Sequence, residues 1–340
     1  VILRETASVI SVLENFGGAV RITTKHGPAI AYTDIVGTVS VGDTVVINRT
    51  ANALQLGTGG YDYVMAVTDS RKTAESSGSG HIVKLRYTPS QLAVHTLEEL
   101  PELASVWEKT LAGFPVVVCQ LHSQIAHAAA AVAAIGKRAV YVMTDTAALP
   151  YSFSNLAADL KNRQVIASSI TSGQAFGGEY ESVTVHSALL AAKYYLQADV
   201  AIVSQGPGNA GTGTKYGFSG IDQAGLMDIA AALGGEPIAV VRASAADPRE
   251  RHRGISHHTL TTLRLVHSSC SIPVPAGMIK TDLGFRHKIV DVADYESAFD
   301  LLKQLEIHVT TMGRDSMSDR IFFEASAAAG TYAASLGEFK

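Results

Sequence analysis

The chain of 340 residues is 47% hydrophobic and 17% charged, with a formal net charge of -4. It is long enough for one large or two unequal domains with a real core, and apolar enough to exclude intrinsic disorder. The charge lacks the basic excess of a phosphate-backbone binder, and no apolar stretch reaches bilayer length, so neither nucleic acid nor membrane is an expected partner.

Cys119 and Cys270 are the only two cysteines, far apart and each beside apolar residues, a usage that suits buried thiols in a reducing compartment. The opening VILRETASVISVL has no basic n-region followed by a continuous apolar run, so no signal peptide is expected there and a cytoplasmic location is. The first 90 residues alternate with period two: SVISVL, AVRITT, PAIAYTDI, DTVVIN and YVMAVT are separated by Gly-Gly, His-Gly-Pro and Gly-Asp turns. That spacing predicts a small β-barrel or β-sandwich domain over residues 1–90. LGTGGYDYV, at 56–64, reads either as a tight hairpin or as backbone brought close to a ligand or to the second domain, and RKTAESSGSGH, at 71–81, as an exposed loop.

Over residues 91–340 the period changes. Continuous apolar runs of strand length (FPVVVC, RAVYVM, QVIASS, DVAIVS, PIAVVRA, SIPVPA, KIVDVA) alternate with segments of helical spacing such as SQIAHAAAAVAAIG and IDQAGLMDIAAALG. Strands without alternation are covered on both faces, which predicts an α/β domain: a mostly parallel sheet of about six strands between helix layers, Rossmann-like in plan. The final segment, SDRIFFEASAAAGTYAASLG, is expected to be a last helix packing on the outside.

In an open α/β sheet the ligand crevice lies beyond the carboxyl ends of the strands. The loops that follow the strands hold His122, Asp145, Gln205, Asn209, Lys215, Asp247, Arg249, Arg251, His252, His257 and His258. The stretch VSQGPGNAGTGTKYGFSG, at 203–220, is the densest in glycine. Gln205, Gly206, Gly208, Asn209, Gly211, Gly213 and Lys215 are its candidate ligand contacts, because glycines let backbone N–H groups approach an anion near a helix start. It is neither a dinucleotide fingerprint nor a P-loop: the glycines continue through Gly220, residue 231 is Ala where an acidic ribose ligand would stand, and Gly213 and Lys215 are separated by Thr214. In RERHRGISHH, at 249–258, Arg249 and Arg251 are candidate anion contacts and His252 and His257 candidate proton carriers. Ser256 is the expected N-cap of the helix that follows. Adjacent residues on a helix point about 100° apart, so at most one of His257 and His258 is expected to enter a shared site. His122 or Asp145 is the expected general base, whereas His127, inside an alanine-rich helix, is expected to pack. No H-x-x-x-H, H-E-x-x-H or paired C-x-x-C spacing is present, so no metal ligand is assigned, and no cofactor is specified.

The phrases LGTGGYDYV, CQLHSQ, VSQGPGNAGTGTKYGFSG and RHRGISHHT, taken together, resemble a bacterial domain-of-unknown-function family, serial number 3866, over essentially the whole chain. The resemblance implies a bacterial cytosolic protein of the same two-part build and carries over no catalytic residue. The functional expectation from the residues is an enzyme, a hydrolase or group transferase, acting on a small anionic molecule of phosphorylated or nucleotide-like character. A non-catalytic metabolite sensor and a metal-dependent hydrolase are the alternatives, and self-association is left open.

Overall fold

A computed structural model describes residues 2–56, 59–68, 80–278 and 286–336. Two compact units result, Val1–His95 and Thr96–Lys340.

The first unit is built on β1 (Arg4–Phe16), β2 (Ala19–Thr24), β3 (Gly27–Tyr32), the single turn α1 (Thr33–Val36), β4 (Thr44–Asn48), the single turn α2 (Thr50–Ala53) and β5 (Asp62–Val67). The five strands close into a barrel in the order β1-β2-β3-β5-β4, so of the two alternatives, barrel and sandwich, the chain takes the first. Its alternating apolar residues, among them Ile22, Ala29, Val45 and Ile47, fill the interior with no exposure. Asp62 is buried and its carboxylate takes hydrogen bonds from Arg49 Nε and Asn52 Nδ2, both 3.2 Å away, so the acidic residue of LGTGGYDYV is used inside the barrel unit. Gly57 and most of the 71–81 segment lie outside the described residues. A short antiparallel pair, β6 (Ile82–Lys84) and β7 (Leu92–Val94), completes this unit.

The second unit follows the βα alternation. Its elements are β8 (Pro115–Val118), α3 (Ile125–Ala133), β9 (Ala139–Thr144), α4 (Asn155–Asn162), β10 (Ser168–Ser172), β11 (Tyr180–Ser182), α5 (Val185–Tyr194), β12 (Val200–Gln205), α6 (Gln223–Ala232) and β13 (Glu236–Ala239). There follow the two-residue strands β14 (Ala243–Ser244) and β15 (Gly254–Ile255), then α7 (His257–Leu265), β16 (Ser271–Pro275), β17 (Lys288–Val292), α8 (Glu296–Gln304) and α9 (Arg320–Ser335). Among the described residues the main sheet has eight strands, ordered β11-β10-β9-β12-β8-β13-β16-β17, and every pairing is parallel. The expectation of about six strands is too low; β11, three polar-flanked residues at one edge, carries no apolar run by which to recognise it.

The strands distribute their side chains by period two. Val116, Val118, Ala201 and Val203 join α5, α6 and Leu263 of α7 in one buried cluster, while Val117, Val200 and Ile202 join α3, α4, α8 and α9 in another. Helices therefore cover both faces, as continuous apolar strands require. The last helix is not an outer one: Phe323 and Ala325 to Ala329 are fully buried, and α9 runs directly against α3. Alanines and Gly330 make that approach close, because a Cβ at Gly330 would stand 2.1 Å from the Ala128 carbonyl oxygen. Gly330→Ala is accordingly expected to destabilise the protein by about 1–3 kcal/mol through overpacking, read as a lower denaturation midpoint at unchanged m-value.

Candidate active site at the carboxyl edge of the sheet

The chain leaves β8 through α3 and reaches β9 on one side, whereas it leaves β12 through α6 and reaches β13 on the other. The two helices pack on opposite faces. β8 and β12 are neighbours, so the crevice between their carboxyl ends is a topological switch point, where open α/β sheets take ligands.

His122 stands just beyond β8. Its Nε2 is 2.6 Å from Ser154 Oγ, and its Nδ1 is 3.1 Å from the Tyr141 hydroxyl and 3.3 Å from the Gln205 carbonyl oxygen. Ser154 is the N-cap of α4 and already accepts the Ala157 N–H at 3.0 Å, so its own proton is free to go to Nε2. The Gln205 carbonyl can only accept, which favours the tautomer with the proton on Nδ1 and leaves Nε2 to accept the Ser154 proton. Burial pushes the imidazole pKa down to about 4, against an upward pull from the Gln205 carbonyl, so the ring is neutral at neutral pH. The sequence reading missed Ser154; a serine before a helix signals an N-cap, which it also is.

Gln205 ends β12. Its Nε2 donates to the Gln120 carbonyl and to Asn209 Oδ1, each at 3.0 Å, and Asn209 Oδ1 also receives the Ser219 hydroxyl and the Gly220 N–H. Gln120 in turn donates to Thr262 of α7 at 3.1 Å. Two glycines are required here by close approach: a Cβ at Gly206 would lie 2.4 Å from the Ala148 carbonyl oxygen, and one at Gly220 would lie within 2.8 Å of Gln120 atoms. The rest of the glycine stretch goes elsewhere. Gly211 bridges Phe218 in an antiparallel manner, and residues 212–216 between them form an exposed tip in which the Lys215 ammonium lies 4.9 Å over the Tyr216 ring. Gly208 and Gly213 adopt φ of +97° and +80° with open space about them. Of the predicted contacts in this stretch, Gln205, Gly206 and Asn209 belong to the inner network, while Gly208, Gly211, Gly213 and Lys215 lie on the outer part of the loop.

The loop after β13 is organised by Asp247, which is 1% exposed. Arg249 grips it through Nε and Nη2, both at 2.9 Å, Arg314 Nη2 approaches to 3.3 Å, and the carboxyl is held far below the usual carboxylate range chiefly by the Arg249 bonds. Arg249 thus gives Nε and Nη2 to an internal pair, which its spacing of two residues from Asp247 explains, while 42% of its side-chain surface stays exposed. Arg251 is exposed. A cation that the sequence reading passed over, Arg242, is buried; desolvation first, then Arg249, lowers its pKa to about 10, and its Nη1 lies 3.2 Å from His258 Nδ1.

Both His257 and His258 enter the cluster, against the expectation of one. His252 sits in the turn before α7 and lies against both, with ring centroids 4.9 and 4.8 Å away, while His257 and His258 are 4.3 Å apart. A third ring from outside the helix bridges the angle between adjacent helical positions. His258 also stacks flat on Phe218, at 3.7 Å and 3°, which ties the glycine loop to the histidines. Asp145 takes no part. It is exposed, and its Oδ2 accepts the Gln174 N–H at 2.8 Å beside Gly173 at φ +68°, which makes it the anchor of a turn. His127 packs between Phe299 and Phe323, as expected of it.

Buried polar atoms without a hydrogen-bond partner among the described residues collect along this edge. They include Gln120 Oε1, Thr144 Oγ1, Ser172 Oγ, Ser204 Oγ and Gln205 Oε1 at the ends of β8, β9, β10 and β12.

The chain belongs to the family described as protein of unknown function (DUF3866), whose model matches residues 28–330. No curated protein and no solved structure matches the chain.

Neutral buried imidazoles make stability depend on pH in a definite direction. The unfolded chain takes up protons near pH 6.5 while folded His122 and His127 wait until about pH 4 and 3, so below 6.5 the unfolded state binds more protons. Stability is thus full above about pH 6.5 and falls as the pH drops toward 4. Urea unfolding at pH 7, 6, 5 and 4 checks this, and His122→Ala should make the fall shallower.

Proposed function

We propose that this member of DUF3866 is a hydrolase or group transferase for a small anionic substrate, bound over the carboxyl ends of β8, β9 and β12 in a Rossmann-like second unit. The observation that carries the reading is the concentration of unpartnered buried polar atoms along that edge, directly beside a hydroxyl–imidazole pair. Leaving such an atom unpaired costs about 1–3 kcal/mol, which a polar ligand offsets on binding.

In this reading His122 is the general base. Its neutral Nε2 already accepts from Ser154 Oγ, the relation in which an imidazole takes a hydroxyl proton as the oxygen attacks an electrophilic carbon or phosphorus and then passes that proton to the leaving group as its bond breaks. The Gln205 carbonyl holds the Nδ1–H and so the ring's orientation. His252 and His257 stand in the neighbouring cluster, and the cationic surplus there, from Arg242 and the exposed Arg251, suits a phosphate or carboxylate. The glycine-rich loop contributes backbone at the inner positions Gly206 and Asn209. Hydride transfer is less well served, since the dinucleotide signature is incomplete.

Thermal-shift screening of the full chain against phosphates, nucleotides, nucleotide sugars and carboxylates, followed by product analysis, tests the reading. An anionic compound at one hundred times its Kd should stabilise the fold by about 2.7 kcal/mol. His122→Ala and Ser154→Ala should then lower its turnover by about 10²–10⁴-fold while the fold persists. Full turnover in both variants would remove the catalytic assignment, and binding without any product would turn the reading into that of a metabolite sensor.

A further inference from the structure

We infer that His252, His257 and His258 form a binding site for a single divalent transition-metal ion of the zinc type. One ring nitrogen from each lies within 4.8 Å of the other two, and no ion is needed to hold the rings there. The supports are structural: His257 and His258 open α7, and His252 is fixed by the bond between its Nδ1 and Ser256 Oγ at 2.7 Å, the same oxygen that caps the helix by accepting the His258 N–H. With Nδ1 engaged, His252 turns Nε2 away from Ser256. That atom and His257 Nε2 are buried and have no hydrogen-bond partner among the described residues, although His252 is only 1% exposed. A donor nitrogen oriented by an outer hydrogen bond and otherwise unpartnered is the arrangement of a metal-ligating histidine.

Three imidazoles select zinc, copper, iron or nickel over magnesium or calcium, which take oxygen ligands. Bond lengths of 2.0–2.1 Å set the nitrogens of a tetrahedral ion about 3.3 Å apart, so binding draws the rings together by on the order of an ångström. His258 has a further requirement. Arg242 Nη1 lies 3.2 Å from its Nδ1, and because arginine only donates, that ring carries its proton on Nε2 and offers Nδ1 to the ion. Arg242 must then turn aside, and the Asp247 carboxylate, 3.9 Å from its Nη2, is the group it turns to. With three protein ligands the ion keeps an open position, the composition of catalytic rather than structural zinc sites. The inference rests on the reading above only for the occupant of that position, an oxyanion of the substrate, which the surrounding arginines favour.

The full chain, stripped with a chelator, is titrated with Zn²⁺ by calorimetry and with Co²⁺ by visible absorption. One ion per chain and the intense d–d bands of low-coordinate cobalt are expected. His252→Ala and His257→Ala should each weaken binding by about 100-fold or more, while His267→Ala, on an exposed imidazole outside the cluster, should leave it unchanged. Circular dichroism and the thermal shift given by inorganic phosphate, both measured metal-free, report whether each variant is folded. The inference fails if the wild-type chain binds no ion at stoichiometry, or if folded His252 and His257 variants bind as tightly as wild type. A phosphate shift without metal binding overturns the metal site alone, and metal binding without any anion shift overturns only the anion reading.

Discussion

Every polar group withdrawn from water has to find a partner, and in this protein that constraint acts along one edge of one sheet. Among the described residues eight parallel strands deliver their carboxyl ends to the same side, and β9, β10, β11 and β12 end there in Thr144, Ser172, Ser182 and Gln205. Some polar groups at this edge satisfy one another. Gln124 takes the N–H groups of Gln120 and Leu121, and Gln223 reaches the carbonyls of Val118 and Val240, so glutamines lace β8 to the chain leaving β13. The atoms that remain unpaired are what distinguishes this edge from an ordinary sheet margin.

The histidine cluster depends on a second device, the burial of Asp247. A carboxylate at 1% exposure needs several donors, and it draws Arg249 and Arg314 onto itself, while Arg314 also reaches Asp319, which binds the Ser244 hydroxyl and the Ala245 N–H. The loop between β14 and β15 is thereby held from inside, and the 3-10 turn carrying His252 is delivered to the start of α7. Removing the arginines would leave the Asp247 carboxylate buried and unpaired, which costs far more than the pairs themselves contribute.

Much of this was legible in the amino acids. The change of period near residue 90 separates barrel from parallel sheet, and runs such as DVAIVS and FPVVVC announce strands covered on both faces. The rule that ligands gather beyond strand carboxyl ends led to His122, Gln205 and the histidine loop without coordinates. What stayed hidden required tertiary pairing. Ser154 looks like a cap because it is one, and only the fold shows that its proton meets an imidazole thirty-two positions earlier. Asp145 and Arg249 looked available because their commitments, to a turn amide and to Asp247, depend on side-chain direction. Helical geometry alone separated His257 from His258, and His252 rejoined them. The burial of α9 hinges on Gly330 lying against Ala128, a contact that no periodicity encodes.

The flat stack of Phe218 on His258 joins parts with opposite habits. The hairpin that ends at Phe218 projects a hydrophilic tip into solvent, whereas the imidazole beneath is locked among its fellows. Residues 212–216 thus stand in water on a base whose Phe218 ring rests on His258, so the outermost part of the loop and the histidine cluster share one aromatic footing.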